Sequence, residues 1–304
     1  MSHSELLKPM NLPHSSLQNH SLSRDDNTAV VIAHFHPAGR VARHLIDFVI
    51  YVKSHVTPHI VLVSTGLSDD GKELLEKHCK VILRENFGYD FWSYKVGIDA
   101  LSSAKPWKRL LIINSSIVIA NPALLALSIF GRPVGRGIIG LTISREFAIH
   151  VQSYCVIFEG EDFINSNAMR NWWSAMEPIS DREQVIQKYE IGMSQYFMKS
   201  GYSPQSLYKP TQGEKALAIM RAIVQSEVVF NIPEEQNEVM IRLNRSDHLN
   251  PTHFMWDFVF KKFGVIKIDF LRQSIFSGQL LSLIKRSPAW AGTSVQSLIN
   301  DALI

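Results

Sequence analysis

The chain has 304 residues, of which 46% are hydrophobic and 19% charged, and its formal net charge is +3. An apolar share of this size excludes a disordered chain and is typical of a globular protein with a sizeable core. So small a net charge over this length does not favour nucleic acid as a partner. Two cysteines, Cys79 and Cys155, exclude a disulfide framework and a zinc site with Cys-x-x-Cys spacing, and they fit a reducing compartment.

Composition divides the chain into three parts. Residues 1–28 are rich in Ser, His and Asn, and we predict a polar, flexible tail without the apolar stretch of a signal peptide. Residues 29–275 are predicted to form one domain, because no linker-like composition interrupts them. Residues 276–304 are predicted to form a C-terminal helical extension.

Residues 110–131 carry no charged side chain and are about as long as a membrane-spanning helix. Asn114, Ser115, Ser116 and Asn121 interrupt this run, and unsatisfied polar groups are costly in lipid. We therefore interpret the run as a buried strand, a functional loop and a helix rather than as a membrane span.

Short β-branched apolar runs alternate with amphipathic helical patterns along the first half of the chain. The runs predict buried strands at residues 29–35, 60–64, 80–83 and 110–113. Strands separated by helices of about 10 to 15 residues are typical of βαβ units. We therefore predict an α/β fold with a mostly parallel central sheet flanked by helices.

The second half of the chain is less regular. Its patterns predict strands at residues 138–143 and 153–158, and helices at 163–176, 181–200 and 256–263. Ser180 and Glu183 form an S-x-x-E capping box for the helix at 181–200. In the first half, Asp90 is the predicted N-cap of a helix that runs to Leu101.

Several common catalytic signatures are absent from the sequence. It contains no G-x-S-x-G, no Walker-type phosphate loop, no H-E-x-x-H and no G-x-G-x-x-G after the first predicted strand. These absences disfavour a serine hydrolase, a P-loop enzyme, a zinc protease and a dinucleotide-binding enzyme.

Polar side chains follow three of the predicted strands. They are His34 and His36 after the first strand, residues 84–90 after the third and residues 114–116 after the fourth. Ligands of open parallel sheets bind at the carboxyl ends of the strands, so we predict one cleft there. The four side chains expected to converge on it are His34, Asn86, Asp90 and Asn114. Asn, Asp and Ser are also common turn residues, so a purely structural role remains an alternative for each of them.

His34 and His36 are two positions apart and would share one face of a strand. Such a pair could contribute to a metal site, but the sequence offers no evident third ligand. The other histidines, His44 among them, are predicted to lie on helix and loop surfaces without a functional role.

Glu190 lies in an otherwise apolar stripe of the helix predicted at 181–200. The stripe contains Ile186, Met193 and Phe197 at helical spacing. A lone buried carboxylate is costly, so Glu190 should either pair with an arginine or face a cleft, as general bases do. Both interpretations remain open from the sequence.

Three hydrogen-bonding side chains alternate along residues 150–154. On a strand, His150, Gln152 and Tyr154 would point to one face. Such an array suits a sugar or phosphate site, and a satisfied polar edge strand would have the same pattern.

An ordered series of segments resembles the rhamnan synthesis protein F family, bacterial glycosyltransferase-like proteins of polysaccharide and O-antigen assembly. The series runs through most of the chain, and its segments are the strand ending in His34, residues 84–91 (RENFGYDF), 111–116 (LIINSS), 121–122 (NP), 140–142 (GLT), 150–154 (HVQSY), 189–191 (YEI) and 250–253 (NPTH), followed by Trp256 and Ile266-Lys267. The resemblance implies a GT-A-like fold, that is, an α/β domain that binds nucleotide sugars.

The resemblance also implies roles for individual residues. Glu190 would be the catalytic carboxylate that takes the acceptor proton, with His150 as a second catalytic residue. Gln152, Tyr154 and His253 would orient donor or acceptor. The donor-binding residues would be His34, Asn86, Gly88, Tyr89, Asp90, Asn114, Ser115 and Ser116.

One departure from the family pattern concerns the metal. The family typically has Asn-Asp-Ser in the turn after the fourth strand, whereas this chain has Asn114-Ser115-Ser116. Hard divalent ions prefer carboxylate oxygens, and Ser115 offers none. The requirement for Mg²⁺ or Mn²⁺ that the resemblance implies is therefore open. We predict that this protein needs a divalent cation less than relatives with an acidic turn.

The implied function is transfer of a sugar, such as rhamnose or another deoxyhexose, from a nucleoside diphosphate to a lipid-linked surface glycan, with inversion. The implied location is the cytoplasm at the inner face of the membrane, where Lys261 and Lys262 could assist peripheral association. A non-catalytic nucleotide-sugar or glycan-binding module of the same fold is the alternative, because Ser115 replaces the acidic residue. Nucleic acid is not an expected partner.

Overall fold

The computed structural model describes residues 22–101, 105–225 and 249–272. The extension predicted at 276–304 and most of the tail predicted at 1–28 lie outside these residues. The described strands are short, and in chain order they are β1 (Thr28–His34), β2 (Ile60–Ser64), β3 (Lys80–Leu83), β4 (Arg109–Asn114), β5 (Ile117–Ile119), β6 (Gly137–Gly140), β7 (Ile143–Ser144), β8 (His150–Val151), β9 (Cys155–Glu159), β10 (Gln205–Ser206) and β11 (Val265–Lys267).

The described helices include one π-helical segment, which joins two α-helices without a break. In chain order they are α1 (Arg43–His55), α2 (Asp69–Glu76), α3 (Tyr89–Asp99), α4 (Pro122–Phe130), α5 (Glu161–Ile164), α6 (Asn167–Ser174), α7 (Arg182–Val185), the π-helical segment (Ile186–Ile191), α8 (Gly192–Lys199), α9 (Gln212–Gln225), α10 (Pro251–Phe254), α11 (Trp256–Phe263) and α12 (Ile268–Arg272).

Seven strands form one sheet in the order β10-β6-β9-β4-β1-β2-β3. Strand β9 is antiparallel to both of its neighbours, β4 and β6, and every other neighbouring pair in this sheet is parallel. The predicted α/β fold with a mostly parallel sheet flanked by helices is confirmed. The four strands predicted in the first half all belong to this sheet, side by side.

Strand β1 lies inside the sheet, between β4 and β2, and is buried along its whole length. Alternate residues face two separate apolar clusters, because successive side chains of a strand point to opposite faces. Val30 packs with Phe48 of α1 on one face, and Val31 packs with Phe91 of α3 on the other. Burial on both faces explains why the strand is apolar at nearly every position.

Helix α3 approaches β1 closely at Gly97. A Cβ atom on Gly97 would lie 2.3 Å from Val31 Cγ1, so a larger residue would push the helix away from the strand. This contact matters for the site because the other end of α3 carries Asp90.

The uncharged run at 110–131 contains the predicted strand and helix, β4 and α4, but the segment predicted as a loop between them also forms the short strand β5. Strand β5 pairs with β11 in an antiparallel ribbon outside the main sheet. Among the residues described, no helix has both the length and the apolar character to cross a membrane.

Two of the predicted helices differ from the prediction. The helix predicted at 163–176 is two helices, because the chain breaks at Asn165 and the Ser166 hydroxyl caps α6 by accepting from the Met169 amide. The capping box of Ser180 and Glu183 is wrong, since Asp181 caps α7 instead. Its Oδ1 accepts from the Gln184 amide at 2.8 Å.

The strands predicted at 138–143 and 153–158 are shorter than expected. The first ends at Gly140 as β6, and the second begins at Cys155 as β9. Residues 150–154 are therefore not one strand, because β8 ends at Val151.

Candidate functional site

The turn after β3 leads into α3 through an unusual backbone path. Gly88 has φ 71° and Tyr89 has φ 51°, both in the left-handed region that side chains disfavour. The guanidinium of Arg84 holds this turn by donating to the carbonyls of Glu85 and Tyr89, each at 2.7 Å, and to that of Phe87.

Gly88, not Asp90, is the N-cap of α3, so the predicted capping role of Asp90 is wrong. The left-handed turn starts the helix earlier than the sequence suggests and moves Asp90 into the first helical turn. The carboxylate of Asp90 therefore does not cap the helix and can accept a hydrogen bond from the end of the neighbouring strand.

A hydrogen-bonded chain of four side chains connects Asp90 to Lys267. The Asn114 amide nitrogen donates to Asp90 Oδ2 at 2.7 Å. The Asn114 amide oxygen accepts from the Ser116 backbone N–H at 3.1 Å and from the Ser116 hydroxyl at 2.6 Å. Lys267 Nζ in turn donates to Ser116 Oγ at 3.0 Å. The carboxyl end of β4 thereby links a carboxylate of α3 to an ammonium of β11.

The charges of this cluster act on one another. Burial raises the pKa of Asp90 to about 6, although Lys267 and the Asn114 hydrogen bond lower it, while Glu190 raises it further. Burial lowers the pKa of Lys267, against the attraction of Glu190, Asp269 and Asp90. The structure therefore brings three carboxylates within electrostatic range of one half-buried lysine.

Glu190 lies in the π-helical segment and is half-buried. Its Oε1 accepts a hydrogen bond from the Ser153 backbone N–H at 2.9 Å. Within the described residues it has no arginine partner, so the structural ion pair considered above is not found there. Met193 and Phe197, which share the predicted stripe, are fully buried. Glu190 is the polar member of that stripe at its more open end.

A cleft of about 550 Å³ opens at the carboxyl ends of β1, β2 and β3. Three of the four residues predicted to converge, His34, Asn86 and Asp90, line it, and the fourth, Asn114, is bonded to Asp90. Tyr89, Ser115 and Ser116 also line the cleft, together with Asp269 and Arg272 of α12.

His34 is an uncharged residue in the wall of this cleft. Its Nε2–H donates to the Arg40 carbonyl at 3.1 Å, so Nδ1 accepts from the Ser64 hydroxyl at 2.9 Å. Burial lowers the pKa of His34 to about 4. Both ring nitrogens have partners, and His36 uses Nδ1 to accept from the Ala38 amide. The pair is not arranged as metal ligands.

His44 is a site neighbour that the sequence analysis assigned wrongly to an exposed surface. It is 3% exposed and lines the cleft, and its Nδ1 accepts from the Ile119 amide at 3.3 Å. Burial lowers the pKa of His44 to about 3. Its position four residues before the buried Phe48 was a signal that could have placed it on the inner face of α1.

The hydroxyl of Ser115 serves the backbone. It accepts from the Phe35 N–H at 3.1 Å and donates to the Phe35 carbonyl at 3.2 Å, which ties the turn after β4 to the end of β1. Across the ranges that the structure describes, no group of three or more His, Cys, Asp or Glu residues is placed to hold a metal ion. Ser115 therefore adds no carboxylate to this turn, and its hydroxyl is already bonded to the Phe35 backbone.

Gln152 and Tyr154 belong to one buried network, although not to one strand. The Thr142 hydroxyl bonds to Gln152 Oε1 at 2.7 Å and to the Tyr154 hydroxyl at 2.8 Å. Gln152 Nε2 donates to Asn250 Oδ1 at 3.1 Å. Lys267 Nζ lies over the Tyr154 ring, 5.0 Å from its centre, so this network adjoins the charged cluster.

The two remaining predicted site residues are His253 and His150, and only His253 lies beside the charged cluster. His253 is half-buried, and its pKa is lowered by burial and by the charge of Lys267, which places it beside the cluster. His150 is 6% exposed and bonds through Nδ1 to the Ala148 carbonyl at 2.8 Å. No contact joins His150 to Glu190 among the described residues.

Comparison with known proteins gives one family and several relatives. The family model for rhamnan synthesis protein F matches residues 60–232, more than half of the chain. An uncharacterized protein, y4gN, of Sinorhizobium fredii is 29% identical over 52% of this chain and 43% of its own length. The virulence protein VirA of Vibrio anguillarum is 26% identical over 65% of this chain and 64% of its own length. The chain thus spans less than two thirds of either relative.

Solved structures with a related arrangement include two glycosyltransferases. A mannosyltransferase, PcManGT, of Pyrobaculum calidifontis in complex with GDP-Man and Mn²⁺ is 12% identical, with a TM-score of 0.38 over 98% of this chain and 90% of that one. The glycosyltransferase GlyE of Streptococcus pneumoniae is 11% identical, with a TM-score of 0.39 over 92% of this chain and 62% of that one. Structural similarity with scores this low assigns no ligand and no reaction to this chain.

The family match, which extends from β2 past α9, is the stronger finding, and by it the chain belongs to the rhamnan synthesis protein F family.

Proposed function

We propose that this protein is a glycosyltransferase that moves a sugar from a nucleoside diphosphate to a growing cell-surface polysaccharide or O-antigen acceptor. Membership of the rhamnan synthesis protein F family supports a glycosyltransferase-like function. The observation that carries the proposal is the cleft at the carboxyl edge of the sheet, which Asp90 lines and whose charge is influenced by Glu190 and Lys267 just outside the lining. Nucleotide ligands of open α/β sheets bind at such an edge.

We assign donor binding and proton abstraction to different groups of residues. On the α3 side, Asn86, Tyr89 and the first-turn N–H groups of the helix would contact the donor, since helix N-termini favour phosphate. His34, fixed and neutral, would form the wall beneath it. Glu190 does not line the cleft, but its charge acts on Asp90, which does. From this position Glu190 would take the proton of the acceptor hydroxyl as the bond to the sugar forms.

Glu190 is placed to act as this base. The Ser153 amide fixes one of its carboxylate oxygens at 2.9 Å, which orients the group and leaves the other oxygen for a substrate. A positioned general base typically contributes about 10² to 10⁴ in rate. The transferred sugar would be a deoxyhexose such as rhamnose, with inversion, and the acceptor a lipid-linked glycan at the inner face of the membrane.

A non-catalytic nucleotide-sugar or glycan-binding module is the second candidate. The observation that favours it is the use of the Ser115 hydroxyl by the Phe35 backbone, at the position where the family resemblance implies an acidic residue. A binding module would hold the donor in the same cleft and would not turn it over.

Sugar transfer by the wild type separates these two candidates, and Glu190→Gln then tests the catalytic role of Glu190. Glutamine keeps the hydrogen bond from Ser153, so the fold and donor affinity should survive while sugar transfer falls by about 10² to 10⁴. The matched control is Glu183→Gln, which changes an exposed carboxylate of α7. Transfer and the melting temperature are measured on the same preparations. Unchanged turnover per folded molecule in Glu190→Gln would refute the catalytic role of Glu190.

A further inference from the structure

Lys267 is a charged residue without a direct counter-ion among the described residues. It ends β11, and the pairing of β11 with β5 sets it opposite Ile117, one residue after Ser116. The side chain is half-buried, and burial lowers its pKa. In the part of the chain that the structure describes, Lys267 makes no ion pair, and its recorded contacts are the Ser116 hydroxyl and the Tyr154 ring.

The charged groups that face Lys267 attract it from a distance. Glu190, Asp269 and Asp90 favour its charged form, and Arg182 opposes it. Asp90 already accepts from Asn114. An ammonium has three donors, and the contact with Ser116 uses one of them. Two donors of a half-buried cation therefore remain for a ligand, and a cation removed from water is costly without an anion.

The cleft beside Lys267 can admit such an anion. Ser116, which Lys267 contacts, lines the cleft, and so does Arg272 five positions further along the chain. Arg272 has no recorded hydrogen bond or ion pair to any described residue. By contrast, Arg84, the other arginine in the cleft wall, uses its donors on the Glu85 carbonyl before α3 and on Tyr89 and Ser93 of α3. Arg272 lies in the cleft wall, and Lys267, which does not itself line the cleft, reaches that wall through its hydrogen bond to Ser116. Both cations thus have donors to spare.

A divalent cation is not the natural occupant of this place. The hydroxyl of Ser115 is committed to the Phe35 backbone, and an ammonium already lies within hydrogen-bond distance of Ser116. A lysine repels a metal ion and attracts the diphosphate that the metal would otherwise neutralise. Fixed cations of the protein can also stabilise the negative charge that develops on a leaving phosphate.

We propose that Lys267, assisted by Arg272, binds the diphosphate of the donor and does so in the place of a divalent cation. This inference rests on the proposed function, because it assigns the phosphate-binding residues of the same cleft. Transfer of the sugar to the acceptor oxygen breaks the bond between the anomeric carbon and the diphosphate oxygen. The electron pair of that bond stays on the diphosphate, where Lys267 would stabilise the added charge.

Inorganic pyrophosphate is the probe that tests the inference without choosing a nucleobase or a sugar. Its affinity is measured by calorimetry for the wild type in EDTA, and again with Mn²⁺. We expect binding in EDTA, weakened about 10- to 100-fold by Lys267→Met and largely kept by Lys267→Arg, as for loss of a charge-assisted hydrogen bond. The matched control is Lys261→Met, an exposed lysine of α11, which should bind like the wild type.

Two outcomes overturn the inference and are distinguishable from failure of the proposed function. Binding that requires Mn²⁺ and is unchanged in Lys267→Met would leave a donor site but remove this role of Lys267. Absence of binding to pyrophosphate and to every nucleoside diphosphate sugar, with and without Mn²⁺, would remove both. Because Lys267→Met could fail to fold, Arg272→Gln is measured beside it, and an unchanged affinity in both folded variants also overturns the inference.

Discussion

Burial and neighbouring charges together set the pKa of Asp90. This pKa decides how the contribution of Asp90 to the stability of the protein depends on pH. Its pKa of about 6 in the folded protein lies above the ordinary value of 3.8. The folded state therefore binds this proton more tightly than the unfolded state does. Stability contributed by the protonated group is present below about pH 4 and is lost as pH rises through about 6.

Asp90→Asn should therefore stabilise the protein at neutral pH. Asparagine is uncharged at every pH and can still accept from Asn114. The gain in unfolding free energy over the wild type should be about 1 to 3 kcal/mol at pH 7.5 and should shrink towards pH 4. Urea unfolding at several pH values measures it. A difference that stays constant from pH 4 to 7.5 would show that Asp90 does not titrate in this way.

The individual residues of the cleft were partly predictable from the sequence. His34, Asn86, Asp90 and Asn114 follow buried strands, and strand ends of a parallel sheet meet at one edge. Lys267 was not predictable in this way, because it reaches Ser116 from 151 positions away through a ribbon of two short strands. Such pairing leaves no local pattern in the sequence.

At the scale of elements, the helix that carries Glu190 shows where periodicity fails. Residues 186–191 form a π-helical segment, which carries an extra residue in the turn and shifts the helical phase. Tyr189 and Ile191 are buried on either side of the half-buried Glu190. An ideal helical period places Glu190 in the apolar stripe, whereas the π-helical segment turns it to the edge of that stripe.

The strand pair β4 and β9 is fixed at its far end, away from the cleft, by a buried ionic cluster. Glu159 is fully buried, and its Oε1 accepts from Arg109 Nε at 2.6 Å and from Arg132 Nη2 at 2.8 Å. Its Oε2 accepts from Arg132 Nη1 at 2.9 Å and from the Gly135 amide at 2.7 Å. One buried carboxylate thus balances two guanidinium groups, of which that of Arg109 is buried and that of Arg132 is partly exposed.

Glu159→Gln should destabilise the fold strongly. It leaves two arginines near one another without their counter-charge, and breaking a buried ion pair from one side costs about 3 to 5 kcal/mol. Urea midpoints measure the loss. Asp162→Asn is the matched control, because it breaks the exposed pair with Arg136 and should change the midpoint little. Equal midpoints for the two variants would contradict the structural role assigned to Glu159.

For the whole molecule, the sequence predicted the class of fold and the edge of the sheet that carries the cleft. Both follow from apolar runs long enough to be buried on two faces, as β1 and β4 are. The antiparallel insertion of β9 between β4 and β6 was not predictable. Strand direction within a sheet depends on how the connecting loops cross it, and no residue pattern records that choice.

The central claim is that the cleft at this edge binds a nucleoside diphosphate sugar through Asp90 and its neighbours. Ligand-observed NMR with a panel of nucleoside diphosphate sugars tests it most directly, on the wild type, on Asp90→Ala and on Asp99→Ala. Asp99, the control, is paired with Lys95 on the exposed side of the same helix. We predict that at least one donor binds the wild type and Asp99→Ala alike and binds Asp90→Ala about tenfold more weakly. A panel without any binding donor, or a donor that binds all three proteins equally, would contradict the claim.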